Sequence, residues 1–201
     1  MPNPSAKAAF TVLSRQLNQS IQLVAALRGR GTPFFQLQQI SELAFLRIFL
    51  SWEGFLEDSF IRFMRGASSL SGSRPRSYVK PLNIDHARDF LIGPKLRYAD
   101  WSDPQVVVER ANLIFAGGKP FATPIQAATR ELNEMRIIRN CIAHRSVHSR
   151  EQFGRLVQNR LGVARRFAPG GFLLTASPVP AQTYLDFFSS YISVAAQQIV
   201  Q

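Results

Sequence analysis

The run FQLQQISELAFLRIFLSWEGFLEDSFIRFM, Phe35 to Met64, decides the fold class. Phe45, Phe49, Trp52, Leu56, Phe60 and Phe63 recur at three- and four-residue steps, the repeat of one helix face rather than the alternation of a strand. Leu46, Leu50 and Ile61 widen the stripe. A helix apolar around so much of its girth needs partners on several sides, so it belongs at the centre of a bundle or at a subunit interface. Glu42, Glu53, Glu57 and Asp58 argue against a helix lying on an anionic membrane.

The same period runs outward in both directions. Upstream, Phe10, Leu13, Leu17, Ile21, Val24 and Leu27 predict a helix over Ala6 to Leu27, stopped by Gly29, Gly31 and Pro33. Downstream, GASSLSGSRPRSYVKP (Gly66 to Pro81) reads as an exposed, mobile loop. Short helices follow near Ile84 to Leu91 and Pro104 to Phe115, the second capped by Asp103 ahead of a first-turn Pro. A longer helix is predicted from Thr123 or Pro124 to about Val147, with Thr123 as its cap, and another from Glu151 to Leu161. Pro169, Gly170 and Gly171 read as a turn, and Phe172 to Thr175 as a short strand or extended arm. A last helix runs from Pro180 or Ala181 to Ile199, with Tyr184, Phe187, Phe188, Tyr191, Ile192 and Val194 facing inward. The expected fold is all-α: one domain over residues 1–201, a bundle of four to five main helices with a long irregular crossover.

Composition narrows the partners. The chain of 201 residues carries 24 Lys+Arg against 13 Asp+Glu, a net charge of +11. Twenty of those cations are Arg, whose planar fork matches phosphate oxygens and stacks on bases, so nucleic acid is the expected polyanion. An apolar content of 46% excludes a disordered chain. The single cysteine, Cys141, excludes an intrachain disulfide and a cysteine-based zinc finger, and reads as a packed small side chain. With no signal-peptide core and no apolar run of membrane-spanning length, the chain is expected to be cytoplasmic, with no membrane partner.

The predicted helix TPIQAATRELNEMRIIRNCIAHRSV carries the chemistry. With Ile138 at zero and about 100° per residue, Leu132, Met135, Ile138 and Ile142 form the core stripe. Asn140 falls near 200° and His144 near 240°, so the two stack on a second face. Arg139 lies about 140° from His144, so its long side chain approaches from the flank, or the helix is distorted there, or a partner chain completes the site. Read alone, His144 is equally a surface residue near a helix end and Asn140 a bridge to a neighbour.

The string Arg139-Asn140-Cys141-Ile142-Ala143-His144 resembles the signature of the HEPN superfamily: an Arg, commonly followed by a polar residue, and a His a short way on, here five residues later. The run SWEGFLEDSFIRFM (Ser51 to Met64) is similar to that family's early helix. Size and layout look most like the RiboL-PSP-HEPN group. The resemblance implies a metal-independent endoribonuclease, usually a homodimer with two motifs facing one cleft, that leaves a 2′,3′-cyclic phosphate and a 5′-hydroxyl. It implies a role in toxin or antiviral defence, with an antitoxin or other regulatory partner protein, and requires no cofactor. It also admits a non-catalytic module for RNA or nucleotide binding or for dimerisation. Catalysis would rest on Arg139, Asn140 and His144. His144 suits proton transfer near neutral pH, and an Arg fork suits the negative charge of a phosphorane.

Charge concentrates around this motif. Between Arg130 and Arg166 nine Arg face three Glu, a surplus of +6. Arg136, Arg145, Arg150 and Arg155 are the expected RNA contacts, with Arg74, Arg76 and Lys80 as an extension. Pairing of some of these Arg with Glu131, Glu134 or Glu151 at helical spacing would reduce the surplus without cancelling it. His144 and His148 stand four apart, as two metal ligands on one helix would, but the acids of a zinc-helix motif are missing and no metal is expected. Gly117-Gly118-Lys119-Pro120 is not a phosphate loop, because Pro stands where a Ser or Thr is required.

Overall fold

The computed structural model describes residues 5–92, 99–144, 146–163 and 167–201. It is all-α: nine α-helices and one short 3-10 turn occur among the described residues, with isolated β-bridges and no strand. The helices are α1 (Ala6–Gly29), α2 (Phe34–Met64), α3 (Ile84–Ile92), α4 (Pro104–Ile114), α5 (Ala122–Ala127), α6 (Thr129–His144), α7 (Val147–Leu161), α8 (Pro169–Leu173) and α9 (Tyr184–Val200). Five of them, α1, α2, α6, α7 and α9, are 15 residues or longer. None is long and apolar enough to cross a membrane.

The chain divides into two compact units, one drawn from residues 1–14, 52–132 and 193–201, the other from 15–51 and 133–192. The first unit is built on the C-terminal half of α2. Phe60 stacks on Phe121 with ring centroids 3.8 Å apart, and Phe115, Phe63 and Trp101 close around the pair. In the second unit the N-terminal half of α2 meets α9 through Phe45 and Phe188. A chain of rings then runs from Phe153 through Phe172 and Tyr184 to Phe187 and Phe188. Rings of this size, fully desolvated and tilted or stacked, contribute the largest share of apolar burial.

Several readings of the sequence need correction. The single helix expected from Thr123 to Val147 is interrupted twice. Ala128 leaves helical geometry at φ −100, ψ 7, and the Thr129 hydroxyl donates back to the Ile125 carbonyl at 3.0 Å, so α5 and α6 are separate. α6 then ends at His144, and Ser146 caps α7 by accepting from the Ser149 amide at 3.1 Å. Thr123 is not a cap. α5 starts at Ala122, set by the buried Phe121 ahead of it.

Phe172 to Thr175 is no strand. Pro169 to Leu173 forms α8, whose Gly170 lies so close to α2 that a Cβ there would sit 2.0 Å from the Gln38 carbonyl oxygen. The Gly170 amide also donates to Glu42 Oε1 at 3.1 Å. The glycine pair is therefore a docking surface for α2 rather than a turn.

α9 starts at Tyr184 instead of residue 180 or 181. Ala181 has a positive φ of 61°, and Thr183 and Asp186 cap each other: the Thr183 hydroxyl and amide both donate to Asp186 Oδ2, and the Asp186 amide donates back to Thr183 Oγ1. Finally, Leu50 and Val194, expected to face inward, are 59% and 55% exposed, and Tyr191 is on the margin.

The irregular segment 66–81 is anchored rather than loose. The Leu70 amide donates to the Val200 carbonyl at 2.6 Å, the Tyr78 amide to Ile114 at 2.8 Å, and the Ala116 amide to Arg76 at 2.9 Å.

Candidate functional site

The candidate site lies on the last two turns of α6, in the second unit. Leu132, Met135 and Ile138 are buried, as the wheel requires, and Cys141 packs beside them. That burial fixes the rotation of the helix. It leaves Arg139 and Asn140 half-buried and His144 exposed on the remaining arc.

The Arg139 side chain closes the gap that the wheel leaves open. Its Nη1 donates to Asn140 Oδ1 at 3.1 Å and lies 3.3 Å from His144 Nε2. A guanidinium only donates, so a hydrogen bond here takes Nε2 as the acceptor and puts the ring proton on Nδ1. The three motif residues thus form one cluster, with Asn140 turning Arg139 towards the imidazole. Arg139 reaches both neighbours through one nitrogen, so its other N–H groups remain for a phosphate.

The other expected contacts are not all gathered here. Arg136 is half-buried on α6 and engaged in an interaction of its own. Arg145 lies outside the described residues. Arg150 is exposed, and its Nε reaches back to the Ser146 carbonyl at 3.4 Å. It lines a cleft of about 1010 Å³ with Phe35, Gln38, Cys141 and Ile142. Arg139, Asn140 and His144 are not among the residues that line it. Arg155 is exposed on α7, 3.9 Å from Glu151.

One arginine of the surplus is committed elsewhere. Arg160 of α7 grips Glu134 of α6: Nε lies 2.8 Å and Nη2 2.6 Å from Oε2, with both side chains largely buried at 9% and 15% exposure. Its guanidinium also sits 5.4 Å from the Phe187 ring centroid. The pairing of Glu134 thus includes one between helices, 26 residues apart in the chain. Beside it, burial pushes the Tyr184 phenol above its ordinary pKa, while Arg160 pulls it down and Glu134 raises it further.

His148 is not on the helix of His144. It belongs to the first turn of α7, across the Ser146 cap, so the two are not ligands at helical spacing. Among the described residues no three His, Cys, Asp or Glu side chains gather as a metal site would need.

Comparison of the chain with protein-family models, curated proteins and solved structures gives no match in any of the three.

Proposed function

We propose that the chain is a metal-independent endoribonuclease of HEPN type that cuts RNA by attack of the 2′-hydroxyl on the adjacent phosphorus. The observation that carries this reading is the Arg139–Asn140–His144 cluster, a proton-transfer group and a phosphate-binding fork in direct contact on an exposed helix end.

The steps follow from the groups. The His144 Nε2 lone pair, held by Arg139 at rest, takes up the proton of the 2′-hydroxyl as the strand enters. Arg139 then turns its donors to the nonbridging oxygens, where negative charge grows on the phosphorane. The 2′-oxygen–phosphorus bond forms, the phosphorus–O5′ bond breaks, and a second proton goes to the leaving oxygen. The products are a 2′,3′-cyclic phosphate and a 5′-hydroxyl. One imidazole cannot be base and acid at the same moment, so a homodimer that brings two copies of His144 to one strand is part of the proposal. Asn140 positions Arg139. Arg136, Arg145, Arg150 and Arg155 supply the sequence-independent attraction for phosphate. A role in toxin or antiviral defence, with a partner protein that restrains the activity, extends the same proposal.

The test is cleavage of a labelled RNA in EDTA. His144→Ala and Arg139→Ala should each lower the rate by about 100-fold or more while the helical circular dichroism stays unchanged. Variants that cut as fast as the wild type would overturn the site.

A further inference from the structure

We infer that the segment from Arg74 to Lys80 is a second binding strip, built to hold single-stranded nucleic acid. The strip belongs to the first unit, and the inference does not depend on cleavage at His144.

Its charge is unopposed along the chain. No acidic residue occurs between Asp58 and Asp85, while Arg62, Arg65, Arg74, Arg76 and Lys80 fall within that span. Arg62 is paired with Asp58 at 2.9 Å. The exposed Asp85 already faces Arg88 at 3.6 Å. Arg74, Arg76 and Lys80 have no ion-pair partner among the described residues.

Its backbone is a ladder. Arg74, Arg76, Tyr78 and Lys80 are exposed, and Pro75, Ser77 and Val79 between them are half-buried. Exposure thus alternates with a period of two on either side of the Ser77 bridge, and the chain bends at Tyr78. Three cations and one aromatic ring, 60% exposed, therefore reach solvent within seven residues. Leu82 continues the register.

The ladder is held in place before any ligand arrives. Ser77 bridges to Phe115, with the Tyr78 amide donating to the Ile114 carbonyl and the Ala116 amide donating to the Arg76 carbonyl. The Ser77 hydroxyl donates to the Val79 carbonyl at 2.8 Å. Upstream, the Ser69 amide donates to the Ser73 carbonyl at 2.8 Å, and the Ser71 hydroxyl to the Gln201 carbonyl. Downstream, Asn83 caps α3 by accepting from the His86 amide at 2.8 Å. A preordered strip loses less entropy on binding than a free loop would.

Charge alone would suit any polyanion. Tyr78, exposed between Arg76 and Lys80, adds a flat face on which an unpaired base can stack. Stacking on an aromatic with cations tracking the backbone is how sequence-tolerant single-strand binders work, and a duplex hides its base faces.

The test uses the full chain carrying His144→Ala, so that no RNA is cut, and reads the anisotropy of a labelled 12-nucleotide single-stranded RNA across a salt series. Replacing Arg74, Arg76 and Lys80 with Ser should lower the slope of log affinity against log salt by about 2, at about 0.7 per phosphate contact. Tyr78→Ala should weaken RNA binding at fixed salt at least about fivefold, and leave binding of heparin, which has no bases, unchanged. All four side chains are exposed, and thermal melts should match the parent. Unchanged RNA affinity in both variants would overturn the inference. Equal weakening of heparin by Tyr78→Ala, or binding of phosphatidylserine vesicles in place of RNA, would also overturn it. The cleavage assay with wild-type protein is read separately, so failure of one reading does not decide the other.

Discussion

Arg139 and Arg160 lie on consecutive helices of the same unit, yet their surroundings differ in kind. Arg160 is enclosed: its Nε and Nη2 meet Glu134, Phe187 covers its guanidinium, and little of it reaches solvent. Arg139 is half-open: one nitrogen touches Asn140 and His144, and no carboxylate pairs with it among the described residues. A guanidinium matched to a carboxylate in the interior fixes two helices against each other. One that meets only an amide and an imidazole among the described residues, at an exposed helix end, keeps donors for a visitor. The total of +11 gives no hint of this division.

Substitutions at the two arginines and around them should break the comparison in different ways. The largest effect is expected from Glu134→Ala, which leaves a buried guanidinium without its partner. The cost should be about 3–5 kcal/mol, a drop in melting temperature on the order of 10 °C. Replacing Glu134 and Arg160 together with Leu and Met should recover most of that loss, because the pair as a whole is close to neutral against apolar packing. Melting of Glu134→Ala at the wild-type temperature would remove Arg160 from the structural side of the comparison.

Arg139→Lys comes next. A point charge cannot hold Asn140, His144 and a phosphate through separate fixed donors, so the cleavage rate should fall by at least tenfold, with stability within about 0.5 kcal/mol of the parent. A smaller effect is expected from pH. The raised pKa of Tyr184 means that the unfolded chain gives up this proton first. Its contribution to stability is therefore fully present below about pH 10 and is lost as pH rises through and beyond that value. Denaturant midpoints measured from pH 8 to 11 should decline above pH 10, and Tyr184→Phe should flatten the decline. The smallest effect belongs to Arg155→Ala. Its 3.9 Å contact with Glu151 is exposed, and melts should move by less than about 0.5 kcal/mol.

The long stripe of α2 was legible because large apolar residues repeat for 30 positions, and its limits fall within one residue of those expected. The break at Ala128 was not legible, because no Gly or Pro marks it. α8 was misread because Pro-Gly-Gly ordinarily signals a turn, whereas here the glycines are required by the approach of α2. The motif residues were legible one by one, and the wheel gave Asn140 and His144 one face. The contact of Arg139 was not, since side-chain reach is not encoded in helix angle. The pairing of Arg160 with Glu134 depends on how α6 and α7 pack, which no spacing in the sequence expresses.

The central claim is that His144 and Arg139 cut RNA through its own 2′-hydroxyl. The most direct measurement is end-group analysis of RNA incubated with the wild-type protein and with His144→Ala, both in EDTA. The account predicts 2′,3′-cyclic phosphate and 5′-hydroxyl ends from the wild type and intact RNA from the variant. Equal product from both proteins, or 3′-hydroxyl ends that vanish with EDTA, would contradict it.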